Sequence, residues 1–355
     1  MKRYRHLTFF QHECFLEVRV PRVRLSDGRV AQVEPAFAGT LLGFTVLFEA
    51  PIPALCREMP FRAVSRLAGV SLHRVMSLCE QYVDLAVAQQ DLCGVRGLAI
   101  DETSRACGHD YVTPAADTAR RAVIAVPEER DAKTIERLAQ DIRSHGGDPG
   151  AIESVSIDMS SAFIKGVAAH RPNTRVAFDT FHVIAHALHA LDLTRRAEQK
   201  ADPGLKGMRW ARLKDSRHLT AAAREDLDVP MAEVATERTA RAWMDRERLR
   251  EILNRKQVNI VRTLLTQWRT NLTRSKVGPM KEGARLIRRH LEGIINWAKT
   301  RATNGFLEAL NGLFQAAKRK ARAYGRFSTI RTVIFRIAGK RDFSKINPHM
   351  AGQPT

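Results

Sequence analysis

Apolar and polar positions separate most clearly between residues 302 and 320. Leu307, Leu310, Leu313, Phe314 and Ala317 recur at helical period and form one stripe, while Asn304, Glu308, Asn311 and Gln315 fall at i, i+4, i+7 and i+11 on the opposite side. The pattern predicts an amphipathic helix capped by Thr303 or Asn304, with a single acid on its polar face. That face is either solvated or placed for a purpose.

Between 94 and 189 the pattern changes to short apolar runs alternating with helices. Val95-Arg-Gly-Leu-Ala-Ile runs into Asp101, and residues 109–114 and 120–126 read as two further strands. Thr134–Ser144 is an amphipathic helix ending at Gly146-Gly147. Val155-Ser-Ile is a strand ending at Asp158, Ser161–His170 a helix, and Arg175-Val-Ala-Phe a strand ending at Asp179. The predicted order is β-β-β-α-β-α-β-α, an α/β core with a helix following from about 183. Asp101, Asp158 and Asp179 each stand at a strand's C-terminal end, where α/β folds build their sites. Residues 190–300 read as almost wholly helical, broken at Pro203-Gly204 and Gly278-Pro279, with Trp268 and Trp297 at core spacing.

Ahead of the core, residues 4–33 alternate and carry β-formers around a Ser26-Asp-Gly-Arg turn, which predicts a small hairpin unit. Residues 61–86 read as a helix ending at Gly69, a short turn, and a second helix capped by Ser71. The spacing suits a helix-turn-helix that exposes His73 and Arg74, and equally suits two short helices joined at glycine.

Composition sharpens the picture. The 355 residues carry a net charge of +20, an excess that points to a polyanionic partner, most often nucleic acid. From 301 to 341 there are ten Lys or Arg (301, 318, 319, 320, 322, 326, 331, 336, 340, 341) against one acid, Glu308. Lys318, Arg319, Lys320, Arg322 and Arg326 are therefore candidate phosphate contacts. The longest apolar stretch, about 36–48, is interrupted by Gly39, Thr40, Gly43 and Thr45 and is too short to span a bilayer; no secretion signal opens the chain. Cysteines 14, 56, 79, 93 and 107 form no C-x-x-C pair, which predicts reduced thiols, a cytoplasmic protein and no Cys-ligated zinc. His182, His186 and His189 share one helix face, which reads either as a zinc site or as packing beside the active site, with packing the favoured reading for His182.

In so basic a chain, Asp101, Asp158 and Glu308 suit phosphodiester chemistry. Hard carboxylate oxygens hold Mg²⁺, and two such ions about 4 Å apart can activate the attacking oxygen and stabilise the leaving one. Glu102 points to the other side of an extended chain and is not counted.

Whole motifs then occur in order. They are Ile100-Asp-Glu-Thr-Ser with Gly108-His109-Asp-Tyr111, Ile157-Asp-Met-Ser, Phe178-Asp-Thr-Phe-His-Val, and Thr303-Asn-Gly-Phe-Leu-Glu-Ala-Leu-Asn-Gly followed by Lys318-Arg and Tyr324-Gly-Arg-Phe. Together they resemble the ISL-three type of DDE insertion-sequence transposase, strongly over 95–340 and more loosely over 4–90. The resemblance implies an RNase H-like core, a mixed sheet with flanking helices, carrying a long all-α insertion over 190–300. It implies that Asp101, Asp158 and Glu308 are the metal-binding catalytic acids, with Mg²⁺ or substituting Mn²⁺. Asp179, His182, His109, Asn304 and Asn311 are supporting positions, and Asp179 either supports the acids or caps a helix. Such enzymes nick element ends with water and join the 3′-hydroxyls to target DNA, in an assembly of more than one copy acting on the nucleoid. Members begin with a Cys-pair zinc module. Here Tyr4-Arg-His-Leu and Cys14-Phe-Leu-Glu-Val match only its tail, and Leu25-Ser-Asp-Gly stands where a Cys is expected, so a lost zinc site and a shortened N-terminus are implied.

The expected organisation is a remnant zinc-binding or β module over 1–50 and a helix-turn-helix region over 51–93. The core runs over 94–189, the helical insertion over 190–300, the catalytic helix with its basic segment over 301–340, and a tail over 341–355. Two other functions fit the same features: a catalytically silent DNA-binding remnant or regulator, and another RNase H-like nuclease such as a resolvase.

Overall fold

The computed structural model describes residues 1–104, 110–128, 132–170, 173–201, 237–301, 305–321 and 325–350. Its main sheet has five strands in the order β11-β10-β5-β8-β9 and is mixed. These strands are β5 (Gly97–Ile100), β8 (Ala115–Asp117), β9 (Ala122–Ala125), β10 (Ser154–Ile157) and β11 (Arg175–Phe178). β10 runs parallel to both β5 and β11, and β8 and β9 are antiparallel. β5, β8 and β9 are buried throughout, as strands covered on both faces must be, which is why β5 and β9 read as continuous apolar runs rather than alternating ones. The predicted strand over 109–114 falls differently. Tyr111–Val112 (β7) pairs with Thr103–Ser104 (β6) in a separate small hairpin, and the sheet strand starts after Pro114, which has no N–H to give a ladder.

The described chain forms two compact units built from interleaved segments: 1–96, 101–151 and 305–355 in one, and 97–100 and 152–304 in the other. In the first, β1 (Lys2–Phe9) and β2 (His12–Val18) make one antiparallel hairpin, and β3 (Arg22–Arg24) and β4 (Val30–Gln32) make another. Helices α1 (Val46–Glu49), α2 (Pro51–Glu58), α3 (Phe61–Ala68) and α4 (Leu72–Ala88) follow. Gly69 closes α3 at φ 64°, a left-handed conformation that a side chain would strain, and the Ser71 hydroxyl caps α4 by accepting from the Arg74 N–H. Phe44, Phe48, Ile52, Phe61, Val64, Val75, Leu78 and Tyr82 form the core there, joined by Val333 of the C-terminal helix. Glu49 is wholly buried and its carboxylate is met by the Thr40 and Leu41 N–H groups and by the Thr40 and Tyr82 hydroxyls. In α5 (Ala132–Ser144), Ile135, Leu138, Ala139 and Ile142 supply the buried stripe.

In the second unit, α6 (Ser161–His170) and α7 (Thr180–Ala201) alternate with the parallel strands. Three more helices follow: α8 (Glu237–Asn254), α9 (Val258–Arg274) and α10 (Gly278–Thr300). Trp268 and Trp297 are buried, and the Trp268 indole N–H reaches the Asp245 carbonyl at 2.8 Å. α10 packs directly on β11. The Asn296 amide donates to the Val176 carbonyl at 3.0 Å, and Gly293 makes a notch filled by the Phe178 ring. One turn before the notch, α10 kinks at His290 (φ −113°, ψ 15°), whose ring lies edge-on to Phe178 at 5.0 Å.

The first unit is completed by α11 (Gly305–Ala321) and α12 (Phe327–Ala338). α12 lies against α4, where Arg331 pairs with Asp84 at 2.6 Å and the buried Arg336 guanidinium donates to the Cys79 sulfur at 2.9 Å. The α11 stripe is narrower than its sequence suggests. Leu307, Leu310 and Phe314 are buried, but Leu313 is 54% exposed and lines a surface cavity with Met59, Phe61 and Val333.

Candidate active site

Asp101 follows β5 directly and is 7% exposed. One carboxylate oxygen accepts from the Glu102 N–H at 2.8 Å and the other from the Asn311 amide at 2.8 Å. The same amide approaches the Glu102 carbonyl at 3.3 Å. One turn further along α11, Gln315 donates to the Thr103 hydroxyl at 3.0 Å and to the Ser104 carbonyl at 3.2 Å. Lys318 then donates to that Ser104 carbonyl at 3.0 Å. The polar face of α11 is therefore not a solvated one; it is docked along residues 101–104. Glu308 stands three residues before Asn311, half-buried in the first turn of α11, where unpaired helix N–H groups favour a carboxylate.

In the other unit, Asp158 follows β10, and one of its oxygens accepts from the Ser160 N–H at 2.9 Å. Asp179 follows β11, is 2% exposed, and accepts from the Phe181 N–H at 2.9 Å, so it caps α7. Capping was one of the two roles the sequence left open for it. The two acids sit at matching places on neighbouring parallel strands, one residue past the Ile157–Phe178 pair. On the other side of β10, Ser156 pairs with Ala99 of β5.

His182, His186 and His189 lie on α7, the first half-buried and the other two more exposed. Partial burial pushes the His186 pKa down, helped by the charges of His182 and His189, while Asp158 pulls it up. His290 is also pushed down, by burial and then by Arg289 and His186.

The expected DNA-contacting residues divide into two groups. His73, Arg319, Lys320 and Arg326 are exposed. Arg74 is occupied within its own unit, with its guanidinium 3.8 Å from the Phe44 ring centre and donating to the Leu42 carbonyl at 2.5 Å. Lys318 is turned inward onto Ser104, Lys340 onto the Arg120 carbonyl and Arg341 onto the Val123 carbonyl. Much of the basic run thus holds the unit together. His109, Asn304 and Arg322 lie outside the described residues. Sequence reasoning missed the roles of Gln315 and Lys318 toward Ser104; the i, i+4, i+7 run of polar side chains from Asn311 was the available signal.

The family model described as Transposase, of the DDE ISL-three type, matches residues 98–334. The chain belongs to that family. The transposase for insertion sequence element IS1001 of Bordetella parapertussis is 24% identical over 338 residues, covering 91% of this chain and 81% of that protein. The transposase for insertion sequence element IS1557 of Mycobacterium tuberculosis is 26% identical, covering 88% of this chain and 76% of that protein.

For a DDE transposase the donor set of two Asp and one Glu is chemically suited to a hard divalent cation. Among the described residues, however, no group of three or more His, Cys, Asp or Glu side chains is gathered closely enough to hold a metal. Among them too, no helix is long and apolar enough to cross a membrane.

Proposed function

We propose that this chain is the transposase of a bacterial insertion sequence, one that cuts its element's ends and joins the 3′-hydroxyls to target DNA. Asp101, Asp158 and Glu308 are the catalytic acids. The observation that carries the reading is the hydrogen bond from Asn311 to Asp101. It ties the helix bearing Glu308 to the segment bearing Asp101, 210 residues away in sequence, within a chain of this family.

Mg²⁺, or Mn²⁺ in its place, is the cofactor that this donor chemistry suits and would supply Lewis-acid activation of the attacking oxygen and charge neutralisation at the leaving one, although among the described residues the three carboxylates are not gathered to hold it. The rest falls to the protein. Glu102 and Asn311 orient the Asp101 carboxylate, Ser160 orients that of Asp158, and Asp179 fixes the start of α7 beside the strand that ends at Asp158. The +20 charge concentrates DNA at the surface, with Arg319, Lys320 and Arg326 as exposed phosphate contacts. α3, Gly69 and α4 serve as a helix-turn-helix that reads the element ends through His73, and at least two copies assemble to hold both ends in the cytoplasm.

A second reading, a DNA-binding remnant or regulator, is favoured by the ungathered acids. Metal-dependent nicking of DNA carrying the inverted repeats that flank the gene separates the two. The expected result is sequence-specific nicking by the wild type that is lost in Glu308→Gln with DNA binding retained. Binding without nicking in both proteins refutes the enzyme and establishes the regulator. Preferential cutting of branched junctions over element ends would point instead to a resolvase.

A further inference from the structure

We infer that the outer face of α9, with the turn that follows it, is a DNA-docking surface additional to the contacts assigned above. The inference rests on the reading that the chain binds DNA, and it holds for the enzyme and the regulator alike.

Three observations carry it. The first is charge. From Gln257 to Lys281 the chain carries five Lys or Arg (262, 269, 274, 276 and 281) and no Asp or Glu. Arg262 pairs with Glu292 of α10 at 2.6 Å, and the other four form no ion pair among the described residues. Arg274 and Lys276 are exposed. A helix face kept in water ordinarily mixes both signs. The neighbouring α8 does so: Asp245, Glu247 and Glu251 interleave with its arginines, and Glu247 pairs with Arg246 and Arg250. The second is layout. Val261, Leu265, Trp268 and Leu272 form the buried side of α9. Opposite them Asn259, Thr263, Gln267, Thr270 and Arg274 recur at i, i+4, i+8, i+11 and i+15, all exposed. The stripe is about 22 Å long at 1.5 Å per residue. Its residues are types that contact phosphates and base edges. The third is that the face loses little when water is displaced. The hydroxyls of Thr263, Thr266, Thr270 and Thr273 each donate to the carbonyl four residues back, at 2.9–3.0 Å, so covering them leaves no donor unpaired. A polyanion suits such a face, whereas a second copy of it would set like charges against each other.

The test uses the full chain and measures DNA binding by fluorescence anisotropy of a labelled duplex over a range of salt concentrations. One variant combines Arg269→Gln, Arg274→Gln and Lys276→Gln. A second combines Thr263→Glu and Thr270→Glu, which places acids on the stripe while improving helix propensity. A third combines Arg29→Gln, Arg175→Gln and Arg196→Gln, removing the same charge from exposed cations that are each paired with an acid elsewhere. A fourth combines Arg319→Gln, Lys320→Gln and Arg326→Gln. Circular dichroism checks that each is folded. We expect the first variant to bind about 10–100-fold more weakly at moderate salt, on element-end and unrelated duplexes alike, with a salt slope shallower by about 2–3. The second should lose at least as much, and the third should stay close to wild type. Wild-type affinity in either α9 variant, with binding weakened in the Arg319, Lys320 and Arg326 variant, overturns the inference and leaves the DNA-binding reading standing. Equal losses in the first and third variants also overturn it, because net charge then accounts for the effect. A wild-type chain whose binding is weak and insensitive to salt overturns both.

Discussion

Gly293→Ala tests whether α10 and β11 are fitted as closely as described. A Cβ at 293 would lie 3.0 Å from the Phe178 Cγ and closer still to two other ring carbons. The ring has little room to yield. It is 5% exposed, bounded by His290 on one side, and its backbone is in register with Ile157. Overpacking of this kind costs about 1–3 kcal/mol, and replacing Gly by Ala inside a helix returns about 1. With the ring so confined, the upper part of the range applies and the net loss is about 1–2 kcal/mol. For a unit of this size that lowers the unfolding temperature by roughly 2–8 °C. In a Phe178→Ala background, itself destabilised by about 3–5 kcal/mol, the notch is empty. There Gly293→Ala should be neutral or stabilising by up to about 1 kcal/mol. The resulting coupling, about 1–3 kcal/mol, is in the range for residues in contact. All four tryptophans lie between 210 and 297, so urea unfolding followed by tryptophan fluorescence reports the unit that contains the notch. A wild-type chain stabilised by Gly293→Ala, or additive single and double variants, would refute the packing argument.

Two further outcomes are expected. Arg74→Ala should destabilise its unit by about 1–2 kcal/mol, from about 0.5–1 each for the solvent-exposed hydrogen bond to Leu42 and the cation–π contact with Phe44, seen as an earlier urea midpoint by far-ultraviolet circular dichroism; an unchanged midpoint with weakened DNA binding would favour the DNA-reading role expected for Arg74 from the sequence. His290 and His186 have folded pKa values below the ordinary 6.5, so the unfolded chain takes up protons that the folded chain does not; their contribution is present above about pH 6.5 and lost as pH falls below it, and the fall in unfolding temperature between pH 7.5 and 5.5 should be shallower in His290→Gln, whereas a parallel pH profile would count against burial as the cause.

Three strands of the sheet were legible because each is a short apolar run that stops directly before an aspartate: Ile100 before Asp101, Ile157 before Asp158, Phe178 before Asp179. The two faces of α11 were legible for the same reason, since 3.6-residue periodicity survives in any context. What could not be read was which partner each face would meet. Arg74 carries every local mark of an exposed helix residue, and its partners Leu42 and Phe44 lie some 30 positions away with no signal linking them. Lys318 opens a run of three basic residues, and only the placement of Ser104 separates it from Arg319 and Lys320. Leu313 lies at the stripe's edge, where periodicity alone does not decide between core and cavity wall.

The docking of α11 also has a metrical basis. From Asn311 to Lys318 a helix advances seven residues, about 10.5 Å at 1.5 Å per residue. From Asp101 to Ser104 an extended chain advances three residues, about 10 Å at 3.3 Å per residue. The two lengths are commensurate, so Asn311, Gln315 and Lys318 meet successive positions of 101–104 without stretching either element. Three such contacts fix both the rotation of α11 and its translation along the strand-like segment. Glu308 is then placed relative to Asp101 by the count from 308 to 311 along a rigid helix. On the catalytic assignment proposed above, Glu308 gains more from that rigid spacing than from a stronger contact of its own.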